Sequence, residues 1–400
     1  MARICMVAYT YYPTDSRIRR EAEALIDRGD TVDMIGLRNK DKETVHILNG
    51  VRLISLSVVR YRGSSVGMYL LNYFLFFVSA SISLFGLYLR NHYQIIQVHT
   101  MPDFMVFIAL VPKLLGAKVI LDIHDLMPEL YQSKFGFNQT HWLIRFITWM
   151  ERCSIGFADR AIAVHKPHLD ALIRHGNPAW KFTILLNLPD PKIFANSARV
   201  NRKKDFGFKL IYHGTVAERY GLMVVLRAIA TLRDEIKGLK FEVFGEGDGL
   251  ASLIALAKEL DLNGCVNLSK DWVPLEKLVP ILLDADVGVV PIYCDEFTKY
   301  MLPTKLLEYV ALGIPVICSR TVTIEAYFDD SMVQYSTPGD IAELAEHIRD
   351  LYHNLDKREL LKNNAEKFNQ EYNWESQKQF YYELIDNLNR KNFPPGDDIS

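Results

Sequence analysis

The chain has 400 residues, 49% of them hydrophobic and 24% charged, with a formal net charge of −2. These are the proportions of a globular protein with room for two or three domains, and the near-neutral charge argues against a nucleic-acid binder. Five scattered cysteines (Cys5, Cys153, Cys265, Cys294, Cys318) form no CxxC pair and no metal-ligand spacing, and their odd number fits reduced thiols in a cytosolic compartment. At the N-terminus, Ile4–Ala8 is too short for a signal peptide and reads as a buried strand. The loop Tyr9–Ser16 follows. It can offer backbone N–H groups and a nearby arginine (Arg17, Arg19 or Arg20) to a phosphate, while Asp15 or Ser16 can cap the helix Ser16–Asp27.

Further strands are expected at Val32–Leu37, Val51–Leu56, Ile95–His99, Val119–Asp122 and Arg160–Val164, with helices between most of them, such as His141–Phe157. That alternation predicts a parallel sheet with crossover helices. One segment departs from it. Met68–Leu89 is nearly all apolar or aromatic and long enough to span a bilayer. A span would place the flanking strands on opposite sides of a membrane, so the segment reads instead as a helix that is buried or touches a membrane surface. Its aromatics, Tyr69, Tyr73, Phe74, Phe76, Phe77, Phe85 and Tyr88, favour some lipid contact. Ligands of doubly wound sheets bind beyond the carboxyl ends of strands. At those ends stand His99 and Asp103, then His124, Asp125, Glu129 and Tyr131. His124 could donate to a hydroxyl or stabilise developing charge, and Asp125 could cap the next turn.

Leu188–Gly207, with Pro189, Pro191 and the solvated basic run Arg202-Lys203-Lys204, reads as an interdomain linker. A second alternating set follows. Strands are expected at Lys209–Tyr212, Lys240–Phe244, Val266–Leu268, Val287–Val290 and Val316–Cys318, and helices at Met223–Ile236, Leu250–Leu260, Leu275–Leu283 and Lys305–Leu312. Gly214 ends the first strand and lets a backbone approach closely, and Arg219 can grip a diphosphate bidentately. Phe244-Gly245-Glu246-Gly247-Asp248-Gly249 repeats the device. Asp284-Ala285-Asp286 imitates a metal-binding DxD but precedes a strand, so it reads as a helix-end and strand-entry device. Pro303–Val316 reads as a short helix and a turn into a buried strand. Pro303 suits the first helical position and Gly313 the left-handed residue at the end. Thr304, Lys305 and Glu308 share one side, a helix start suited to a phosphorylated, hydroxyl-rich ligand. Helices near Ile341–Asn354, Lys357–Tyr372 and Trp374–Lys391 close the chain.

Taken together, Tyr12-Pro13 before Arg17 and Glu21, Gly214 to Gly221, Gly245-Glu246-Gly247, Asp286 through Pro291, and Pro303 through Val316 resemble the family 4 glycosyltransferases over nearly the whole chain. The resemblance implies an α/β fold of GT-B architecture, with two Rossmann-like doubly wound domains facing a central cleft. The expected domains are an acceptor-side domain at 1–190, a linker at 191–207, a nucleotide-sugar domain at 208–372, a helix at 373–391 crossing back to the first domain, and a tail at 392–400. It further implies retaining transfer from a nucleotide-diphosphate sugar, without metal and without a cofactor.

By the same resemblance His124, Arg219 and Lys305 are catalytic. Asp15, Gly214, Thr215, Gly245, Glu246, Leu302, Pro303, Thr304 and Glu308 bind the donor, with Glu308 on the ribose hydroxyls. His99, Asp103 and Asp125 are acceptor-side candidates. The acceptor is expected to be lipid-linked or a glycan, on a cytoplasmic enzyme peripheral to the inner face of the membrane through Met68–Leu89, with no nucleic-acid partner. The sequence departs from the family at four places. Tyr300 stands where the earlier of two glutamates is usual, with Glu296 as a substitute. Tyr220 replaces a lysine, Thr215 replaces an arginine, and the glycine pair of the first loop is absent around Asp15 and Ser16. A nucleotide-sugar epimerase, or a non-catalytic partner of an active transferase, would share these features.

Overall fold

A computed structural model describes residues 1–38, 44–61, 63, 65–194, 207–269 and 273–390. Most of the expected linker, its basic run and the tail at 392–400 lie outside the described residues. The chain divides into two compact units. The first comprises Met1–Asn187 with the C-terminal segment from Glu375, and the second Leu188–Trp374.

The first unit is built on eight strands: β1 (Arg3–Val7), β2 (Thr31–Leu37), β3 (Val45–Leu48), β4 (Val51–Leu56), β5 (Ile95–His99), β6 (Lys118–Ile123), β7 (Arg160–Ala163) and β8 (Phe182–Ile184). Their order is β3-β4-β2-β1-β5-β6-β7-β8, parallel throughout except for the antiparallel edge pair β3–β4. Helices cover the sheet, so its central strands are buried on both faces and read as unbroken apolar runs. The order reverses between β1 and β5, which places the first loop and the end of β5 at the switch point where such sheets bind ligands. β3, β8 and a strand of the second unit, Gln334–Ser336, were not legible as strands. Each has three or four residues, and β3 is an edge strand with Val45 and Ile47 exposed.

The second unit holds β9 (Phe208–His213), β10 (Leu239–Phe244), β11 (Val266–Ser269), β12 (Val287–Val290), β13 (Val316–Ser319) and β14 (Gln334–Ser336). All are parallel, in the order β11-β10-β9-β12-β13-β14. This is the doubly wound dinucleotide-fold order, with its switch point between β9 and β12. Helix Leu222–Leu232 packs its buried face (Leu222, Val225, Leu226, Ile229) into the core under Leu210, Tyr212 and Phe241.

The long apolar segment forms one helix, Val66–Asn91, that joins β4 to β5. It is long and apolar enough to cross a membrane. It is nonetheless the crossover between two parallel strands of one sheet, and Phe76, Ala80, Leu84 and Tyr88 are buried at an i, i+4 spacing.

Helix Trp374–Asn389 completes the first unit. Tyr381, Leu384 and Ile385 are buried, and the Tyr381 hydroxyl donates to Gln97 Oε1 at 2.6 Å on the central strand β5. Tyr382 donates to the Ala24 carbonyl at 2.8 Å, and the Leu186 amide donates to Gln377 Oε1 at 3.2 Å. Tyr381→Ala is expected to lower stability by about 3–5 kcal/mol, the usual cost of emptying a buried aromatic site. Tyr381→Phe should cost about 1–3 kcal/mol, because it strands a buried acceptor. Urea unfolding of the two variants checks both values.

Candidate functional site

In the second unit, two glycine loops extend the β9–β10 ladder past the strand ends. The Gly214 amide donates to the Phe244 carbonyl at 2.9 Å, and the Val216 amide to the Glu246 carbonyl at 2.8 Å. The approach is so close that a Cβ on Gly245 would lie 1.8 Å from the Gly214 carbonyl oxygen. Gly214 itself sits at φ +103°, where side chains are strained. The spacing that suggested a phosphate loop therefore has a backbone cause in this chain.

Against Gly214 lies Lys305, on the first turn of helix Thr304–Ala311. A Cβ on Gly214 would lie 3.5 Å from Lys305 Cε. The Lys305 ammonium rests 4.8 Å from the centre of the Tyr212 ring and 4.6 Å from that of Tyr220. Tyr220, which replaces a family lysine, is thus one face of a cation–π seat. Lys305 is buried. Burial pulls its pKa down from the ordinary 10.5 to about 8, and the nearby Glu308 carboxylate offsets part of the shift. Thr304 is the first helical residue and is exposed, with Pro303 as the cap just before it and no side chain satisfying the helix N-terminus. Those amides and the ammonium make a place for an anion.

Glu308, one turn on, is bonded to His213 Nε2, and His213 Nδ1 lies 3.0 Å from the Tyr309 hydroxyl. His213 carried no signal in the sequence beyond preceding Gly214. Thr215 and Glu246 are exposed at the loop tips, where the Thr215 carbonyl accepts from the Tyr212 hydroxyl at 2.6 Å. The Arg219 guanidinium lies 5.8 Å from the Phe297 ring centre, and its carbonyl accepts from the Tyr293 amide at 2.9 Å. Leu302 and Tyr300 are half-buried. Glu296 is exposed and bonds Lys299 at 2.6 Å, so it is tied to its own loop. Asp284 pairs with Lys209, and Asp286 bonds Arg358 at 2.9 Å and the Lys209 amide at 2.9 Å. These carboxylates serve the strand entry. A cavity of about 370 Å³ beside the loops is lined by residues such as Glu218, Asp248 and Ser252, and none of the expected donor residues lines it.

In the first unit, the loop after β1 does not offer its arginines to a ligand. Arg17 is buried and pairs with Asp122 and, at 3.1 Å, with Glu21. Arg19 bonds Glu23 at 3.4 Å, and Arg20 bonds Asn187 at 3.0 Å. Asp15 caps helix Ser16–Arg28, accepting from the Ile18 amide at 3.2 Å. The sequence expectation of a phosphate arginine here is corrected for Arg17 and Arg20, whose side chains turn into the core, while the half-buried Arg19 is paired with Glu23.

Asp122, the last-but-one residue of β6, is the hub of what replaces it. Its Oδ2 lies 2.9 Å from His99 Nδ1 and 3.3 Å from His124 Nε2, and the two rings approach to 3.4 Å between those nitrogens. Burial alone would raise the Asp122 pKa; Arg17 and the imidazoles outweigh it and hold the carboxyl well below its usual range. For His99, burial opposes the charge, but the bond to Asp122 raises its pKa. The three side chains could converge on a metal, but the Arg17 guanidinium on the same carboxylate puts positive charge where a dication would sit. The arrangement suits orienting a histidine. His124 is the half-exposed member, and its amide donates to Thr100 Oγ1 at 3.0 Å.

His99 and Asp103, expected on the acceptor side, are both buried. Burial first, then the charges of Glu151 and Asp125, push Asp103 well above the usual carboxylate range. Asp125 is half-exposed beside them. Behind lies His175, 3.0 Å from both Glu129 and Glu151. Burial works against its charge, but the two carboxylates raise its pKa to about 10. Neither this cluster nor the Arg17–Asp122 pair was legible, since both join residues far apart in sequence.

Two family models match the chain. The glycosyl transferase 4-like domain matches residues 14–187, and the glycosyl transferases group 1 model matches residues 194–368. The chain belongs to the family 4 glycosyltransferases. The chain is 25% identical over 176 residues to the amylovoran biosynthesis glycosyltransferase AmsK of Erwinia amylovora, covering 44% of this chain and 42% of that protein. It is 24% identical over 242 residues to the putative colanic acid biosynthesis glycosyl transferase WcaI of Escherichia coli K12, covering 58% and 57%. The chain thus spans about half the length of the curated relatives it matches. Among solved structures, the sucrose-phosphate synthase of Thermosynechococcus elongatus superposes with a TM-score of 0.77 at 19% identity, covering 96% of this chain and 100% of that one. The fold is therefore the GT-B type, with its two Rossmann-like sheets.

Lys305 gives a pH signature. Between pH 8 and 10.5 the unfolded chain keeps a proton that folded Lys305 has released. Stability should rise with pH across that window, by up to roughly 3 kcal/mol. Subtracting a Lys305→Met urea series from the parent series should isolate this rise. A flat difference would remove the buried ammonium from the account.

Proposed function

We propose that the chain transfers a sugar from a nucleoside-diphosphate sugar to a hydroxyl of a lipid-linked or polysaccharide acceptor, with retention and without a metal. The observation that carries this is Lys305. It is a desolvated cation seated on Tyr212 and Tyr220 against Gly214, at the start of a helix that carries Glu308 one turn on. As the glycosidic bond breaks, the leaving diphosphate gains negative charge. Lys305, the free amides at Thr304 and the Arg219 guanidinium would stabilise that charge where it develops, a role that a metal fills in other transferases. Glu308, steadied by His213, would take the ribose hydroxyls. His124, steadied by Asp122, would meet the transferred sugar.

The names of the two curated relatives, in amylovoran and colanic acid biosynthesis, support a polysaccharide setting. The exposed apolar face of Val66–Asn91 supports a lipid-linked acceptor and a peripheral place at the inner face of the cytoplasmic membrane. A second reading, a non-catalytic partner of an active transferase, draws on Tyr300 and on Glu296 being held by Lys299. Transfer by the isolated chain, lost in His124→Ala while nucleotide affinity persists, would exclude that reading.

A thermal-shift screen against UDP, GDP, ADP and their sugars is expected to show one base stabilising the protein, by about 2.7 kcal/mol at a hundredfold excess over Kd. Glu308→Ala should weaken that nucleotide by about 1.5–3 kcal/mol, roughly 10- to 150-fold in calorimetric Kd. Unchanged affinity would sink the ribose assignment. Turnover should survive chelation of divalent ions, and an absolute need for magnesium or manganese would overturn the metal-free mechanism.

A further inference from the structure

The first unit exposes far more apolar surface on one face than a scattering of single residues would give. Three elements form it. Helix Val66–Asn91 packs on the segment 103–114, through Phe77 and Phe104 at 6.1 Å between ring centres. That segment packs in turn on helix Trp142–Phe157, through Phe107 and Phe157 at 5.1 Å. The inner faces meet, and the outer faces stay uncovered. Ile82 is 69% exposed on the first element, Leu114 77% on the second and Trp142 71% on the third, with Phe74, Phe146 and Trp149 also exposed.

The charges on these elements are one-sided. Their only carboxylates, Asp103 and Glu151, are buried. Their cations are Arg90, Lys113, Arg145 and Arg152, and of these Lys113 bonds Asp159 at 2.6 Å. A protein–protein interface is ordinarily closed by a polar, solvent-accessible rim. Here an apolar field carries tryptophans at an i, i+7 spacing and cations without exposed acids. That is the composition of an interfacial face, in which indole rings settle at headgroup depth and cations meet anionic lipid.

We infer that this three-element face, and not the Val66–Asn91 helix alone, docks on a bilayer surface containing anionic lipid, with Trp142 and Trp149 as its second anchor line. The inference deepens the lipid-linked acceptor proposed above and rests on that reading for its purpose. Vesicle binding is scored without any sugar transfer, so the two can fail separately.

The test is sedimentation of the full chain with vesicles of phosphatidylcholine, alone or mixed with phosphatidylglycerol. Binding should be about tenfold stronger to the mixed vesicles and should fall with salt. Trp142→Ser with Trp149→Ser should lower binding to both vesicle types at least about tenfold. Arg145→Gln should lower it about fivefold on the mixed vesicles only. Leu114→Ser and Ile82→Ser, at the most exposed positions, give the same readout should the double variant unfold. No sedimentation with either vesicle overturns the inference. So does binding unchanged by every variant, or a tryptophan variant that alters only the oligomeric state, which would assign the face to a second copy of the chain.

Discussion

The first unit is organised around a buried ion pair, Arg17 with Asp122. Two charges taken out of water cost several kcal/mol each unless every remaining donor and acceptor is met. Here the two charges are linked to partners in series, although the buried His99 Nε2 has none among the described residues. Tyr381 donates to Gln97, Gln97 to Glu21 at 2.9 Å, Glu21 accepts from Arg17, and Asp122 then holds His99 and His124. The chain of bonds starts on the last helix of the protein and ends at the half-exposed imidazole. It ties the position of His124 to the docking of a segment more than two hundred residues away in sequence.

The second unit handles charge in the opposite way. Its key cation, Lys305, has no carboxylate in direct contact among the described residues. It is held by two aromatic rings and a glycine backbone, and its pKa falls to about 8. A cation left short of charge is what an arriving anion stabilises. Glu308, by contrast, is bonded to His213. The buried cation of the first unit, Arg17, is paired with carboxylates, whereas that of the second, Lys305, is seated on aromatic rings.

The apolar face of the first unit follows from the same economy of elements. A crossover helix needs only one side to cover the sheet, and Phe76, Ala80, Leu84 and Tyr88 supply it. The rest of that helix is apolar and exposed, as at Leu70, Phe74 and Ile82. Trp142 and Trp149, on a neighbouring layer, extend the same face.

The sequence by itself determined the two sheets, most strand and helix positions, and the Gly214, Gly245 and Pro303–Val316 elements. These are local: buried parallel strands are continuous apolar runs, and a glycine at a strand end or a proline at a helix start acts within its own few residues. The short edge strands β3, β8 and β14 lack such runs and stayed hidden. Only the tertiary structure decided what the side chains do. It turned Arg17 and Arg20 inward, paired Arg19 with Glu23, made Asp122 the hub of two histidines, buried His99 and Asp103, gave Glu308 its His213 partner and seated Lys305 on Tyr220 where a lysine was expected. Each of these depends on contacts between elements distant in sequence, and burial and pairing, which set charge and orientation, exist only once those elements have packed.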